Sequence, residues 1–341
     1  MNKRRKVTSN AVAALAGVSR SAVSRAFTPN ASISEQTKKK VLAASAELGY
    51  QPNVIARSLI MQQSRLIGVV MAGWDNPFYT MMLKQFSEKF QAKGYQVILA
   101  TVGQEQHPDD AIKLLLKYQV DAVIIVSTLP SAIIAAGCLQ RKTPIVVLNR
   151  EASGIGASSV ICDAADIGRK IASTLLDAGY TRFAVLRGDS DPEAGNQETE
   201  VLKEIIERQG NARIVAQEAH IIGYDAGREA VARLMKNKTK PDAIICSADL
   251  TARGVLDGAL IDLKIDVPEQ LGIFGFGDSV AATWGTNRLT SVRLPIEEMI
   301  DASIDVVIER LDDPDLEPVR IVSVAQIVER STIRKMSDQK K

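Results

Sequence analysis

Beyond Arg65 the chain alternates two hydrophobic patterns. Near-continuous apolar runs of strand length occur at residues 66–71, 97–100, 122–126, 145–148, 160–162, 183–186, 243–246 and 273–276. Between them, apolar residues recur at helical spacing: Met82, Phe86 and Phe90; Ile112, Leu115 and Leu116; Ile171 and Leu175; Val201 and Ile205; Val231 and Leu234; Met299, Ile300 and Val307. A strand with no polar alternate has no wet face, so these runs predict parallel strands covered by helices on both sides. This many units exceed one comfortable sheet. They predict two α/β subdomains around a cleft, with ligand-facing loops at the carboxyl ends of the strands.

The first 64 residues follow a different rhythm, that of three short helices. Thr8 or Ser9 can cap the first, which runs through Val12, Ala13, Leu15 and Ala16. Ala16-Gly17-Val18-Ser19 then reads as a tight corner. Ala16 lets two helices approach closely, Gly17 accepts a positive φ, and Ser19 can cap the amides that open the next helix. That second helix is expected over residues 20–27, stopped by Pro29-Asn30. Placed in a DNA major groove, it would offer Arg20, Ser21 and Arg25 to base edges. A third helix begins near Ser34 and ends at Gly49. After Tyr50-Gln51-Pro52-Asn53 comes a mostly apolar segment, residues 54–60, which Asn53 can cap but which is too short to be helical alone in water. It reads either as a linker or as a hinge that folds only when paired with its twin across DNA.

Charge sharpens this division. The 341 residues carry a net charge of only +2. Ten Lys or Arg against two Glu give residues 1–64 a charge of +8, which leaves −6 on the remainder. The positive field therefore belongs to the N-terminal unit, as a polyanion-binding module requires. Lys3 to Lys6 taken alone would serve equally as a solvated basic tail.

Cysteine and histidine usage narrows the chemistry. Cys138, Cys162 and Cys246 each lie in or beside an apolar segment and none is closely paired, which argues for reduced core thiols in a cytoplasmic setting and against a disulfide framework or zinc. The basic start lacks an apolar run behind it and no 18 apolar residues occur together, so neither export nor membrane insertion is expected. His107 and His220 are the only histidines. Gly154-Ile155-Gly156 and Gly275-Phe276-Gly277 complete neither a dinucleotide fingerprint nor a phosphate loop. A binding protein is expected, with no enzymatic activity, no cofactor and no metal.

Several segments together resemble the LacI/GalR family of bacterial transcription regulators: residues 7–25, the Tyr50-Gln51-Pro52-Asn53 junction with Ala56-Arg57-Ser58-Leu59, the Asn76-Pro77-Phe78-Tyr79 loop, and Leu289-Thr290-Ser291-Val292. The resemblance covers almost the whole chain, in the family's order. It implies an all-α helix-turn-helix headpiece with a hinge helix, followed by an α/β periplasmic-binding-protein-like core of two parallel-sheet subdomains. The implied division is a DNA-binding headpiece over 1–52, hinge helix and linker over 53–64, an effector-binding and dimerisation core over 65–335, and a polar tail over 336–341. The implied protein is a repressor that binds a near-palindromic double-stranded DNA operator as a homodimer. A small polar, sugar-like effector in the cleft would control it.

Carried onto this sequence, the family's DNA-reading positions are Arg20, Ser21 and Arg25, with arginines suited to guanine. Ser19, Ser24 and Asn53 match positions that touch phosphate or cap helices near it, and Thr8, Ser9 and Ser34 complete the set at helix starts. Ala56 and Arg57 accompany Leu59, which matches the leucine wedged into the minor groove at the operator centre. Ala22 stands where a hydroxyl residue is common, so one backbone contact is expected to be missing. The largely polar residues after Glu329-Arg330-Ser331 offer no leucine heptad, so a dimer is expected rather than a tetramer.

The implied effector site comprises Asp75, Phe78, Tyr79, Asn149, Arg150, Glu198, Asp249, Asp278 and Trp284. Here the chain departs from its relatives. It has Asn196-Gln197-Glu198 where a ligand-binding arginine is frequent, Ala248-Asp249 in place of Asn-Asp, and Phe276-Gly277-Asp278 in place of Tyr-Asp-Asp. The retained acids can accept hydroxyls or an amine from a ligand, or they can be structural caps at strand-to-helix turns. Trp284 can stack on a ligand or pack the subdomain.

Overall fold

The computed structural model describes residues 7–28, 31–51, 63–72, 77–103, 107–188 and 197–335. The chain forms two compact units, Met1–Ser64 and Arg65–Lys341. In the first, three helices, α1 (Ser9–Ala16), α2 (Arg20–Ala26) and α3 (Glu35–Leu48), surround a small core of Val12, Ala13, Val23, Ala26, Val41 and Ala44. Each helix has its own start signal: Thr8, Ser19 and Ser34 accept from the backbone amides of Ala11, Ala22 and Thr37. Thr8 is thus the cap and Ser9 the first helical residue. Gly17 and Gly49, at φ 65° and 63°, end α1 and α3 in the left-handed conformation that glycine adopts without strain.

The second unit holds two six-stranded sheets. The first contains β1 (Leu66–Ala72), β2 (Gln96–Val102), β3 (Ala122–Val126), β4 (Ile145–Leu148), β5 (Ser158–Cys162) and β11 (Arg320–Ser323), in the order β11-β5-β4-β3-β1-β2, all parallel. The second contains β6 (Arg182–Leu186), β7 (Arg213–Glu218), β8 (Ala243–Cys246), β9 (Gly272–Phe276), β10 (Thr290–Arg293) and β12 (Gln326–Val328), in the order β12-β10-β9-β8-β6-β7. Its edge strand β12 runs antiparallel to β10, which departs from the all-parallel expectation.

Helices cover both faces of each sheet. Those of the first are α4 (Pro77–Ala92), α5 (Pro108–Lys117) and α6 (Ala132–Gln140); those of the second are α8 (Gln197–Arg208), α9 (Gly223–Leu234) and α10 (Asp249–Asp257). Two further helices, α7 (Ala164–Asp177) and α11 (Ile296–Asp312), carry the chain between the sheets, and residues 324–325 make a third passage. One continuous core runs through this junction, from Phe86, Phe90 and Ile124 of the first lobe to Leu175, Phe183, Phe274 and Met299. Strand alternation explains the rest: Ile67, Val69 and Met71 of β1 join that shared core while Val70 faces the α5 side. Gly68 points the same way as Val70 and makes room for Leu115, whose Cδ1 would lie 2.7 Å from an added Cβ.

Close packing of α9 against α10 rests on Gly227 and Gly254, where an added Cβ would overlap backbone of the opposite helix. The three cysteines are buried and unpaired. Among the described residues no helix is long and apolar enough to cross a membrane, and no cluster of His, Cys, Asp or Glu is arranged to hold a metal ion.

Candidate nucleic-acid interface and ligand cleft

The corner in the first unit is built by backbone bonds. Val18 N–H donates to the Ala13 carbonyl at 3.0 Å, closing α1, and Ala22 N–H donates to Ser19 Oγ at 3.2 Å, opening α2. Ser19 Oγ also lies 2.8 Å from Ser21 Oγ. On α2, Ala22, Val23 and Ala26 face inward while Arg20, Ser21, Ser24 and Arg25 are exposed. Those four positions share one side of the helix because they are spaced by one and four residues. Arg25 lies back along the helix, its Nε 3.4 Å from the Ser21 carbonyl oxygen. Ala22 is buried on the inner side of α2. Ser34 caps α3 and lies 2.8 Å from Thr37 Oγ1. Asn53, Ala56, Arg57 and Leu59, the hinge positions, lie outside the described residues.

In the second unit the ends of the strands gather the other candidates. Asp75 lies outside the described residues. Phe78 opens α4 after β1 and is buried, meeting Tyr79 edge-on at 5.4 Å between ring centroids. Its Cδ2 would lie 3.3 Å from a Cβ added to Gly277, at the end of β9. Phe78 therefore spans from the strand ends of the first sheet to those of the second. Asn149, at φ 63° just past β4, donates its N–H to the Val160 carbonyl, with Arg150 half-buried beside it. Glu198 lies in the first turn of α8, where its carbonyl faces Gly168 of α7 at a separation only glycine allows.

For Asp249 and Asp278, the candidate acids of the second lobe, the sequence leaves two readings, ligand contacts or structural caps at strand-to-helix turns. Asp249 is 1% exposed: its Oδ2 accepts the Ser279 N–H at 2.6 Å and its Oδ1 the Ser291 hydroxyl at 2.6 Å. Its side chain does not cap its own helix, whose N-cap is Ala248; it ties α10 to the segments after β9 and in β10. Burial pushes its pKa up against the opposing pull of those hydrogen bonds. Asp278 is held between two arginines, with Arg293 Nε on Oδ2 at 2.6 Å and Arg330 Nη2 on Oδ1 at 2.5 Å. Both carboxylates are engaged within the lobe. Sequence alone did not flag Arg253, which pairs with Asp257 and donates to the carbonyls of Trp284 and Asn287 at 2.7 and 3.1 Å, fixing the loop that carries the exposed Trp284 indole.

Comparison with known proteins agrees with this anatomy. The model of the lacI family of bacterial regulatory proteins matches residues 10–53, and that of a periplasmic binding protein-like domain matches residues 157–333. The ribose operon repressor of Escherichia coli (strain K12) is 30% identical over 328 residues, covering 94% of this chain and 98% of that protein. The sucrose operon repressor of Pediococcus pentosaceus is 32% identical over 318 residues, covering 89% and 92%. Among solved structures, the lac repressor dimer bound to operator and the anti-inducer ONPF matches with a TM-score of 0.86 over 97% of this chain and 100% of that one, at 22% identity. The complex of the transcriptional regulator CelR with cellobiose matches with a TM-score of 0.68 at 25% identity, covering 96% and 99%.

A helix-turn-helix unit joined in one chain to a two-lobed binding-protein-like unit defines a DNA-binding transcriptional regulator. This chain belongs to the lacI family of bacterial regulatory proteins.

Proposed function

We propose that the protein is a cytoplasmic repressor without catalytic activity, which binds a near-palindromic operator as a homodimer and is controlled by a sugar-like effector in the cleft of its second unit. The observation that carries this reading is the exposed face of α2, where Arg20, Ser21, Ser24 and Arg25 stand free of the core on a helix fixed at its start by Ser19. Two such helices reading two half-sites require two-fold symmetry in both protein and DNA. Asn53, Ala56, Arg57 and Leu59 supply the hinge that pairs over the operator centre, with Leu59 as the minor-groove wedge.

The effector reading rests on the cleft and on the relatives, which are named for ribose and sucrose operons, while one structural neighbour holds cellobiose. With Asp249 and Asp278 engaged internally, the polar ligand contacts are assigned to Asn149, Arg150, Glu198 and Asp75, the last outside the described residues, and the aromatic ones to Phe78, Tyr79 and Trp284. Control requires that the effector bind more tightly to one arrangement of the lobes than to the other.

The test is selection of duplexes from a random DNA pool by the purified chain, followed by a thermal-shift screen of sugars, polyols and amino sugars. Enrichment of a two-fold symmetric site, and a sugar hit that changes its affinity, is the expected result. A pool that does not converge contradicts the operator assignment, and an absence of any sugar hit contradicts the effector class.

A further inference from the structure

The amino-terminal edge of the second sheet carries a row of cations. Arg182 and Arg213 are the first residues of β6 and β7, and the two strands pair them directly opposite each other. On the other side of Arg182 lies the turn that leads into β8, where Arg182 Nε donates to the Lys240 carbonyl at 2.8 Å. The same turn holds Lys236 and Lys238, and all five residues are exposed. Among the described residues, only Arg182 of the five has a carboxylate within 4.0 Å, that of Asp242 at 3.5 Å. Asp242 is itself 8% exposed and already accepts the Thr181 and Arg182 amides and the Thr181 hydroxyl. Asp177 and Glu207, in the last turns of α7 and α8, pair with none of the row.

This concentration of positive charge stands on a unit that sums to −6, the +2 of the chain less the +8 of residues 1–64. Helices α7, α8 and α9 end at this edge, and one cation near each end would answer its dipole. Five exceed that need, and two arginines set side by side repel each other. An anionic partner relieves both. The surface also says which kind. No large hydrophobic residue is exposed in residues 178–182, 209–213 or 236–242. A protein partner would call for an aromatic or aliphatic anchor, and single-stranded nucleic acid for rings on which bases stack. The phosphates of a duplex need only charge and donors.

We infer that this edge binds the sugar-phosphate backbone of double-stranded DNA, as a second contact surface separate from α2. Both sheets turn their carboxyl ends to the cleft, as Phe78 beside Gly277 shows. The row therefore lies at the pole of the second unit away from Arg65, where the chain enters it. It offers charge without a helix or strand to enter a groove, so it holds DNA without regard to sequence and lets the protein bridge its operator to another DNA segment.

The experiment follows lysine acetylation in the full-length protein by mass spectrometry, with and without a short duplex of random sequence at low salt. Lys236, Lys238 and Lys240 are expected to react roughly threefold more slowly with the duplex present, and to regain their rate at high salt. Lys113, on α5 and outside the row, should keep its rate throughout. Polyglutamate at equal charge concentration should protect the three lysines less than DNA does. The same protection is expected in Arg25→Ala, which separates this outcome from the assignment of α2. Unchanged rates at the three lysines, protection that disappears in Arg25→Ala, or equal protection by polyglutamate overturns the proposal.

Discussion

The Asp249 carboxylate lies directly over the backbone of Gly275: a Cβ at that glycine would overlap Asp249 Oδ1. The glycine in β9 and the acid at the start of α10 are therefore a matched pair. Together with Ser279 and Ser291 they lock the helix to the sheet. Gly275→Ala is expected to destabilise the second unit by about 1–3 kcal/mol, as overpacking does, measured by urea unfolding. A change below about 0.5 kcal/mol would show that the carboxylate gives way freely.

Asp249 also sets a pH signature. Its folded pKa is raised by burial, so the folded state holds the proton more tightly than the unfolded chain. Its contribution to stability is fully present below the unfolded value, about 3.9, and is lost as pH rises through the folded value. Asn at this position does not titrate. The stability of wild type relative to Asp249→Asn should therefore fall with rising pH across this acidic window and then level off. A difference independent of pH contradicts the raised pKa.

Asp278 and Arg330 join the end of β9 to the chain beyond β12. Arg330→Met leaves the Asp278 carboxylate, 5% exposed, with only the half-exposed Arg293 as partner, and should cost about 3 kcal/mol. Adding Asp278→Asn should restore part of the loss. Strict additivity of the two substitutions in a double-mutant cycle would mean the pair is not coupled.

Operator affinity should fall steeply with salt, because phosphates neutralised by the +8 N-terminal unit release counterions. Titrations at several salt concentrations check this. A complex insensitive to salt contradicts the electrostatic reading of that unit.

The first unit was legible because its determinants are local. Thr8, Ser19 and Ser34 sit beside the amides they cap, and Gly17 and Gly49 beside the helices they end. The eight apolar runs all became strands, because burial on both faces leaves them no other pattern. The edge strands β7, β11 and β12 escaped notice because each has a partly exposed face and no continuous apolar run, and the inner strand β10 because its buried positions include the polar Thr290 and Ser291. Helix α6 hid for the opposite reason: Ala-Ile-Ile-Ala-Ala-Gly-Cys-Leu is apolar on every side and shows no helical periodicity. The engagement of Asp278 depends on Arg330, 52 residues away, and nothing near Asp278 announces it. Contacts of that range are set by the sheet order, which no local pattern encodes.

The most direct test concerns Arg25, exposed on α2 and outside the core. Arg25→Ala should weaken binding to the selected operator by about 5- to 150-fold, the worth of one bidentate contact to guanine, in a duplex binding titration at fixed salt. Its unfolding midpoint and its response to the sugar hit should match those of the unaltered protein. An operator affinity unchanged by the substitution would contradict the assignment of α2 as the helix that reads DNA.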